Sequence, residues 1–214
     1  MTTLNSSASL RGIYGITDDV LTPDELLLSS VEAALAGGIV LLQYRSKIPD
    51  AEKRRAQASH LLQLCRHYQT PLIINDDVQL CAGIGADGVH LGRSDVGFAE
   101  ARSVLGDAAI IGITCHDSLD RAREAEAAGA SYVAFGRFFP SRTKPDASPA
   151  SISLLTEAKQ QISLPVVAIG GINPENGASL IAAGADMLAV VHSLFAGDSV
   201  NENAERLTAL FDSA

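Results

Sequence analysis

Gly184-Ala185-Asp186-Met187-Leu188-Ala189 has three earlier counterparts in the chain: Gly37-Gly38-Ile39-Val40-Leu41-Leu42, Gly85-Ala86-Asp87-Gly88-Val89-His90 and Gly129-Ala130-Ser131-Tyr132-Val133-Ala134. Each follows an Ala-rich helical pattern and passes through one or two glycines into a short apolar run. Glycine just past a helix supplies a left-handed cap, and an uninterrupted apolar run suits a strand buried on both faces of a parallel sheet. Two more runs begin after proline, at residues 72–74 and 166–169, where proline is tolerated at a strand's edge. Residues 13–16 and 109–113 bring the strands to eight.

Helical patterns fill the gaps. Thr22-Pro23-Asp24-Glu25 has the form of a capping box with proline at the first helical position, and Leu27, Val31, Ala34 and Leu35 continue it as a one-sided stripe. Ala58, Leu61, Leu62 and Cys65 repeat the helical spacing in the second helix. Asn173-Pro174-Glu175 opens a later one, and Ala204, Leu207, Leu210 and Phe211 mark the last. Eight β-then-α units of roughly 25 residues predict an α/β fold, a (β/α)8 TIM barrel. It forms a single domain over residues 1–214, with residues 1–11 as a loose N-terminal tail. A doubly wound open sheet is the alternative, because alternation alone does not prove closure.

Composition bounds the function. Among 214 residues, 25 carboxylates outnumber 16 basic groups for a formal charge of −9. Such a balance disfavours non-specific nucleic-acid binding and attachment to an anionic membrane. No apolar run approaches the ~18 residues of a membrane span, and the polar start lacks a secretion signal, so a cytoplasmic protein is expected. Cys65, Cys81 and Cys115 are odd in number and form no C-x-x-C, which predicts buried free thiols and no zinc site.

In a (β/α)8 barrel the active site lies at the carboxyl ends of the strands, and unusual residues fall there. Gln43, Arg45 and Lys47 alternate, so an extended segment turns them one way. Two cations and an amide suit a phosphate, although a solvated loop face is the bland reading. Asn75 and Asp76 cap the next helix, or Asp76 and Asp95 share a divalent ion of the magnesium type, completed by water and phosphate oxygens. Gly170-Gly171 makes a tight turn or lets backbone approach a phosphate. The long 136–150 loop carries Arg137, Ser141, Arg142, Thr143 and Lys144, all able to bind phosphate oxygens. His60 and His67 are expected on an exposed helix face, His90 as a satisfied core residue, and Cys115 as packing. Together the groups suit two phosphorylated substrates.

At this point the chain resembles the thiamine-phosphate synthase family over about residues 12–195. The resemblance rests on Gln43-x-Arg45-x-Lys47, Asn75-Asp76-Asp77, Gly88-Val89-His90-Leu91-Gly92, Asp95, Gly112-Ile113-Thr114-Cys115-His116, Pro140-Ser141-Arg142-Thr143-Lys144 and Ile169-Gly170-Gly171-Ile172, in that order. It implies a transferase that joins 4-amino-2-methyl-5-hydroxymethylpyrimidine diphosphate to a thiazole phosphate, releasing diphosphate. Gln43, Tyr44, Arg45, Ser46, Lys47, Asn75, Thr114 and Lys144 would hold the pyrimidine diphosphate, with Arg45, Lys47, Thr114 and Lys144 catalytic. Asp76 and Asp95 would hold Mg2+. Ser141, Arg142, Thr143, Gly171, Val191 and His192 would hold the thiazole phosphate. Thr114 and Ser141 replace the family's commoner serine and threonine and keep a hydroxyl; His192 stands where serine is expected. The implied partners are two small phosphorylated substrates, with no nucleic acid and no membrane. A thiazole tautomerase would have little use for Gln43, Arg45, Lys47, Asp76 and Asp95. A non-catalytic metabolite-binding regulator would form no product. An isomerase of aromatic amino-acid synthesis would need a general acid–base pair that the sequence does not offer.

Overall fold

The computed structural model describes residues 10–92, 95–140 and 150–212. Eight parallel strands close into one barrel in the order of the chain. They are β1 (Gly12–Ile16), β2 (Leu41–Tyr44), β3 (Leu72–Asn75), β4 (Gly88–Leu91), β5 (Ile110–His116), β6 (Tyr132–Phe135), β7 (Val166–Ile169) and β8 (Met187–Val190). Pairing of β1 with β8, Gly12 opposite Met187 and Gly15 opposite Val190, rules out the open sheet. Around it stand α1 (Asp24–Ala36), α2 (Ala51–His67), α3 (Val78–Ile84), α4 (Phe98–Leu105), α5 (Leu119–Ala128), α6 (Ser153–Gln161), α7 (Gly177–Ala182), the short α8 (His192–Phe195) and α9 (Val200–Thr208).

The continuous apolar strands are shared between two cores. Successive strand residues point to opposite faces. Tyr14, Leu41, Ile73, Tyr132, Ala134, Val167, Met187 and Ala189 therefore fill the barrel interior. Their neighbours Ile13, Leu42, Leu72, Ile74, Val133, Phe135, Val166, Ala168 and Leu188 pack against the helices. The stripes expected on α1 and α2 are buried there, and all three cysteines are buried and free.

The repeated Gly-Ala-Asp/Ser segment has a structural purpose. Asp87 accepts from Leu72 N at 2.8 Å through its carboxylate and donates its own amide to Leu72 O at 3.1 Å. Ser131 does the same to Ile111, at 3.0 and 2.8 Å. The third residue of the segment thus fastens the start of the preceding strand before its own strand begins. Gly85 and Gly129 are the expected left-handed caps, whereas after α1 the positive φ belongs to Gly38 and Gly37 keeps φ −79°.

Two helix starts differ from expectation. Thr22 caps nothing on α1; its hydroxyl is turned back to Asp18 N and O, and Pro23 precedes the helix without a side-chain cap. Asn173 forms a turn, accepting from Glu175 N and Asn176 N at 3.0 Å, so α7 begins only at Gly177. A local side-chain acceptor competed with the helix at both places.

Candidate active site

Above the apolar plug of the barrel, the next inward positions on β2 to β5 are Gln43, Asn75, His90 and Thr114, which follow Leu41, Ile73, Gly88 and Gly112 at spacing two. The register sets Asn75 beside His90. Period-two alternation thus changes the lumen from apolar to polar at the carboxyl end of the strands.

The end of β2 is clamped from β1. Thr17 Oγ1 accepts from Arg45 N at 2.9 Å and donates to Arg45 O at 3.2 Å. Lys47 N donates to Asp19 Oδ2 at 2.7 Å, while the Arg45 guanidinium stands 4.0 Å from Asp18 Oδ2. The backbone of this segment is therefore fixed, with Arg45 partly buried and Lys47 exposed. Tyr44 points its hydroxyl to Gln57 Oε1 at 2.6 Å, so its polar end is occupied by α2.

The capping expected of Asn75 and Asp76 falls to their neighbour instead. Asp77 caps α3, accepting from Leu80 N at 2.8 Å, which leaves Asp76 without that duty. Asp76 sits at φ 61°, a left-handed conformation that costs a non-glycine residue of order 1–3 kcal/mol when the surroundings impose it. Its amide donates to His90 O at 2.9 Å, and Asn75 Nδ2 donates to its Oδ2 at 2.6 Å. Asp95 accepts from Gly92 N at 2.5 Å and meets the Asp76 carboxylate. Crowding by protein atoms, then the hydrogen bond and charge of Asp95, push the Asp76 carboxyl up to about 6, against the opposing pull of Asn75 and Arg45. Beside them opens a cavity of about 230 Å³ lined by Ser46, Lys47, Arg54, Asn75 and Asp76, with Tyr44 as one wall.

Thr114 lies 2.8 Å from His90 Nε2, and His90 Nδ1 lies 3.0 Å from Tyr132 Oη. His90 is therefore a bridge from the barrel interior to the mouth, beyond the satisfied core residue the sequence suggested.

On the opposite side, Gly170 and Gly171 carry φ 107° and 65°. A Cβ on Gly171 would lie 2.3 Å from Pro140 O, so glycine is required where the chain leaving β6 crosses the end of β7. Val191 precedes α8, whose first residue His192 is exposed; Ser193 directs its hydroxyl to Ile172 O at 2.6 Å. Ser141, Arg142, Thr143 and Lys144 lie outside the described residues.

Residues 13–194 match the family model described as thiamine monophosphate synthase. The chain belongs to the thiamine monophosphate synthase family. Among curated relatives of this family, a thiamine-phosphate synthase from Thiobacillus denitrificans is 54% identical over 201 residues, covering 94% of each chain. One from Alcanivorax borkumensis is 52% identical over 205 residues, again covering 94% of each chain. The solved thiamine phosphate pyrophosphorylase from Pyrococcus furiosus superposes with a TM-score of 0.87 at 32% identity, over 96% of this chain and 97% of that one. The chain is thus an enzyme, a transferase of the thiamine monophosphate synthase family, and the barrel expected from its repeats is the family's fold. No helix among the described residues is long and apolar enough to cross a membrane.

Within this thiamine monophosphate synthase barrel, the donor set suits a hard divalent cation. Asp76 and Asp95 meet, and no group of three or more His, Cys, Asp or Glu that could form an all-protein cage exists among the described residues. Magnesium commonly takes one or two carboxylates and completes its shell with water and phosphate oxygens. Sequence reasoning missed Thr17, Tyr14 and Tyr132. Thr17 follows β1 as an ordinary hydroxyl residue, and the two tyrosines lie inside apolar runs where they pass for core.

Proposed function

We propose that the chain joins 4-amino-2-methyl-5-hydroxymethylpyrimidine diphosphate to thiazole phosphate, giving thiamine phosphate and diphosphate. The observation that carries the reading is a cavity at the strand ends lined by Ser46, Lys47, Arg54, Asn75 and Asp76, with the Asp76 carboxyl under the influence of both Asp95 and Arg45. A carboxylate and basic side chains lining one cavity provide for a cation and an oxyanion in the same small volume. Arg45, Lys47 and Lys144 bind the diphosphate oxygens, Asn75 and Ser46 hydrogen-bond them, and Thr114 donates its hydroxyl to the same group. Gln43 orients the pyrimidine from the wall of the lumen. Ser141, Arg142, Thr143, Gly171, Val191 and His192 take the thiazole phosphate. The short α8 directly after β8 supports that placement, since loops after strands seven and eight and a short extra helix commonly hold phosphate in these barrels.

Asp76 and Asp95 would hold Mg2+, which supplies charge neutralisation of the leaving diphosphate when bound. The remaining work is positioning and electrostatics. The bond between the pyrimidine methylene carbon and the diphosphate oxygen breaks, and its electron pair leaves with the diphosphate. The electron-rich aminopyrimidine stabilises the cationic carbon, and the thiazole nitrogen donates the new pair. Fixed cations and donors aimed at the departing oxygens lower the barrier without reorganising. Such a path needs no strong general base, in keeping with a lumen of Gln43, Asn75, His90 and Thr114.

The deciding experiment incubates both substrates with and without Mg2+ and detects thiamine phosphate after oxidation to its fluorescent thiochrome. Product that requires the cation is the expected result. Absence of product with thiazole phosphate still bound would replace this reading with a binding or tautomerase role.

A further inference from the structure

Five side chains from five strands form an unbroken hydrogen-bond chain across the barrel. Gln43 Nε2 lies 2.6 Å from Tyr14 Oη, and Tyr14 Oη lies 2.8 Å from Tyr132 Oη. Tyr132 Oη lies 3.0 Å from His90 Nδ1, and His90 Nε2 lies 2.8 Å from Thr114 Oγ1. Gln43 and Thr114, at the two ends, have roles in the proposed reaction. Tyr14, Tyr132 and His90, between them, have none so far.

The chain has a direction. An amide nitrogen only donates, so Tyr14 accepts from Gln43. Tyr14 is 1% exposed and its hydroxyl hydrogen needs an acceptor, which Tyr132 Oη provides. Tyr132 is fully buried and donates a hydrogen bond from its own hydroxyl to His90 Nδ1. A neutral imidazole that accepts at Nδ1 carries its proton on Nε2. That N–H donates to Thr114 Oγ1, and the Thr114 hydroxyl hydrogen stays available for another acceptor.

Packing holds the parts in line. The Tyr14 and Tyr132 rings meet edge to face with centroids 5.8 Å apart, and His90 stacks on Tyr132 at 5.6 Å with planes 17° apart. Room for the Tyr132 ring comes from Gly112, where a Cβ would lie 2.0 Å from Tyr132 Cζ. Burial also keeps both phenols protonated, since it raises the Tyr14 and Tyr132 hydroxyls above their ordinary range.

We infer that Tyr14, Tyr132 and His90 are positioning residues: they fix His90 as the Nε2–H tautomer, so that Thr114 accepts from it and presents its own hydroxyl hydrogen to the departing diphosphate. The target of that hydrogen rests on the proposed function; the tautomer does not. No proton changes owner along the chain. As the carbon–oxygen bond breaks and its electron pair passes to the diphosphate, Thr114 keeps its hydrogen and stabilises the growing charge. A donor aligned before the reaction pays no reorganisation cost during it.

The test combines long-range 1H–15N spectra of the histidine rings with steady-state kinetics. The His90 signals are identified by their loss in His90→Asn. In the unmodified protein His90 is expected as a single neutral tautomer, protonated at Nε2. Tyr132→Phe should yield mixed tautomers, with kcat reduced roughly tenfold or more and both KM values within about threefold. Adding Tyr132→Phe to Thr114→Ala should cost little more than Thr114→Ala alone, because the chain acts through that hydroxyl. An Nδ1–H tautomer or an imidazolium in the unmodified protein would overturn the inference without requiring any variant to fold. Fully additive losses in the double variant would also overturn it. The expected tautomer in a protein that forms no product would sink the proposed reaction and leave the direction of the chain standing.

Discussion

Asp186 holds Val166 at both of its backbone groups: its carboxylate accepts from Val166 N at 2.7 Å, and its amide donates to Val166 O at 2.8 Å. The same carboxylate pairs with Lys159 at 3.0 Å. Asp186→Ala should therefore destabilise the fold by about 1–3 kcal/mol, the cost of leaving a part-buried backbone donor unsatisfied. Lys159→Ala should cost under about 1 kcal/mol, because that partner is exposed. Urea midpoints at constant m-value measure both, and equal losses would assign the effect to the ion pair instead.

Arg45 acts on the Asp76 carboxyl and has its backbone fixed by the Thr17 clamp. Arg45→Ala should raise the barrier by about 2–4 kcal/mol, comparable to losing an oxyanion donor. The loss should appear in kcat/KM for the pyrimidine diphosphate. Lysine at this position should restore only part of it, since it lacks the two-pronged geometry. Near-normal turnover in Arg45→Ala would remove Arg45 from the diphosphate site.

Asp76→Asn and Asp95→Asn should each weaken divalent-cation binding by at least tenfold, the usual order for losing half of a two-carboxylate site. Electron paramagnetic resonance of added Mn2+ reads this without substrate turnover. Unchanged Mn2+ affinity in both variants would refute the metal assignment.

Gly171→Ala places a Cβ where Pro140 O already stands and where φ is 65°. The chain leaving β6 must then shift, and misplacement by ~1 Å can cost on the order of 10²-fold in rate. The expected loss falls on kcat/KM for thiazole phosphate, with the KM of the pyrimidine diphosphate little changed. Equal effects on both substrates would separate Gly171 from the thiazole side.

Burial pushes the thiols of Cys65, Cys81 and Cys115 up to about 12, above the unfolded value of roughly 8.5. A raised folded pKa means that the unfolded state loses its proton first. The contribution to stability is whole below about pH 8.5 and is lost as pH rises towards 12. Tyr14 and Tyr132 act in the same direction, from a higher starting point. The melting temperature should therefore fall between pH 8 and pH 10.5, and the native thiols should resist labelling at pH 8. Greater stability at the higher pH would contradict this account.

The sequence by itself determined the number and order of the strands, because glycine-capped apolar runs and helical stripes are local patterns that follow from backbone sterics and burial. It also pointed to Gln43, Asn75 and Thr114 at the carboxyl ends of their strands, since in a (β/α)8 barrel all these ends face the same way. Closure was different: it depends on Gly12 meeting Met187, 175 positions later in the chain, and no local pattern encodes that pairing. Which residue caps α3 was likewise decided in three dimensions, where Asp77 took the cap and left Asp76 beside Asp95. The tyrosines are the sharpest case. In the chain Tyr14 and Tyr132 are apolar-run residues 118 positions apart, and only the inward pleat of β1 and β6 brings their hydroxyls together. A hydrogen bond between such side chains depends on position and angle within a few tenths of an ångström. Only the assembled barrel supplies that geometry.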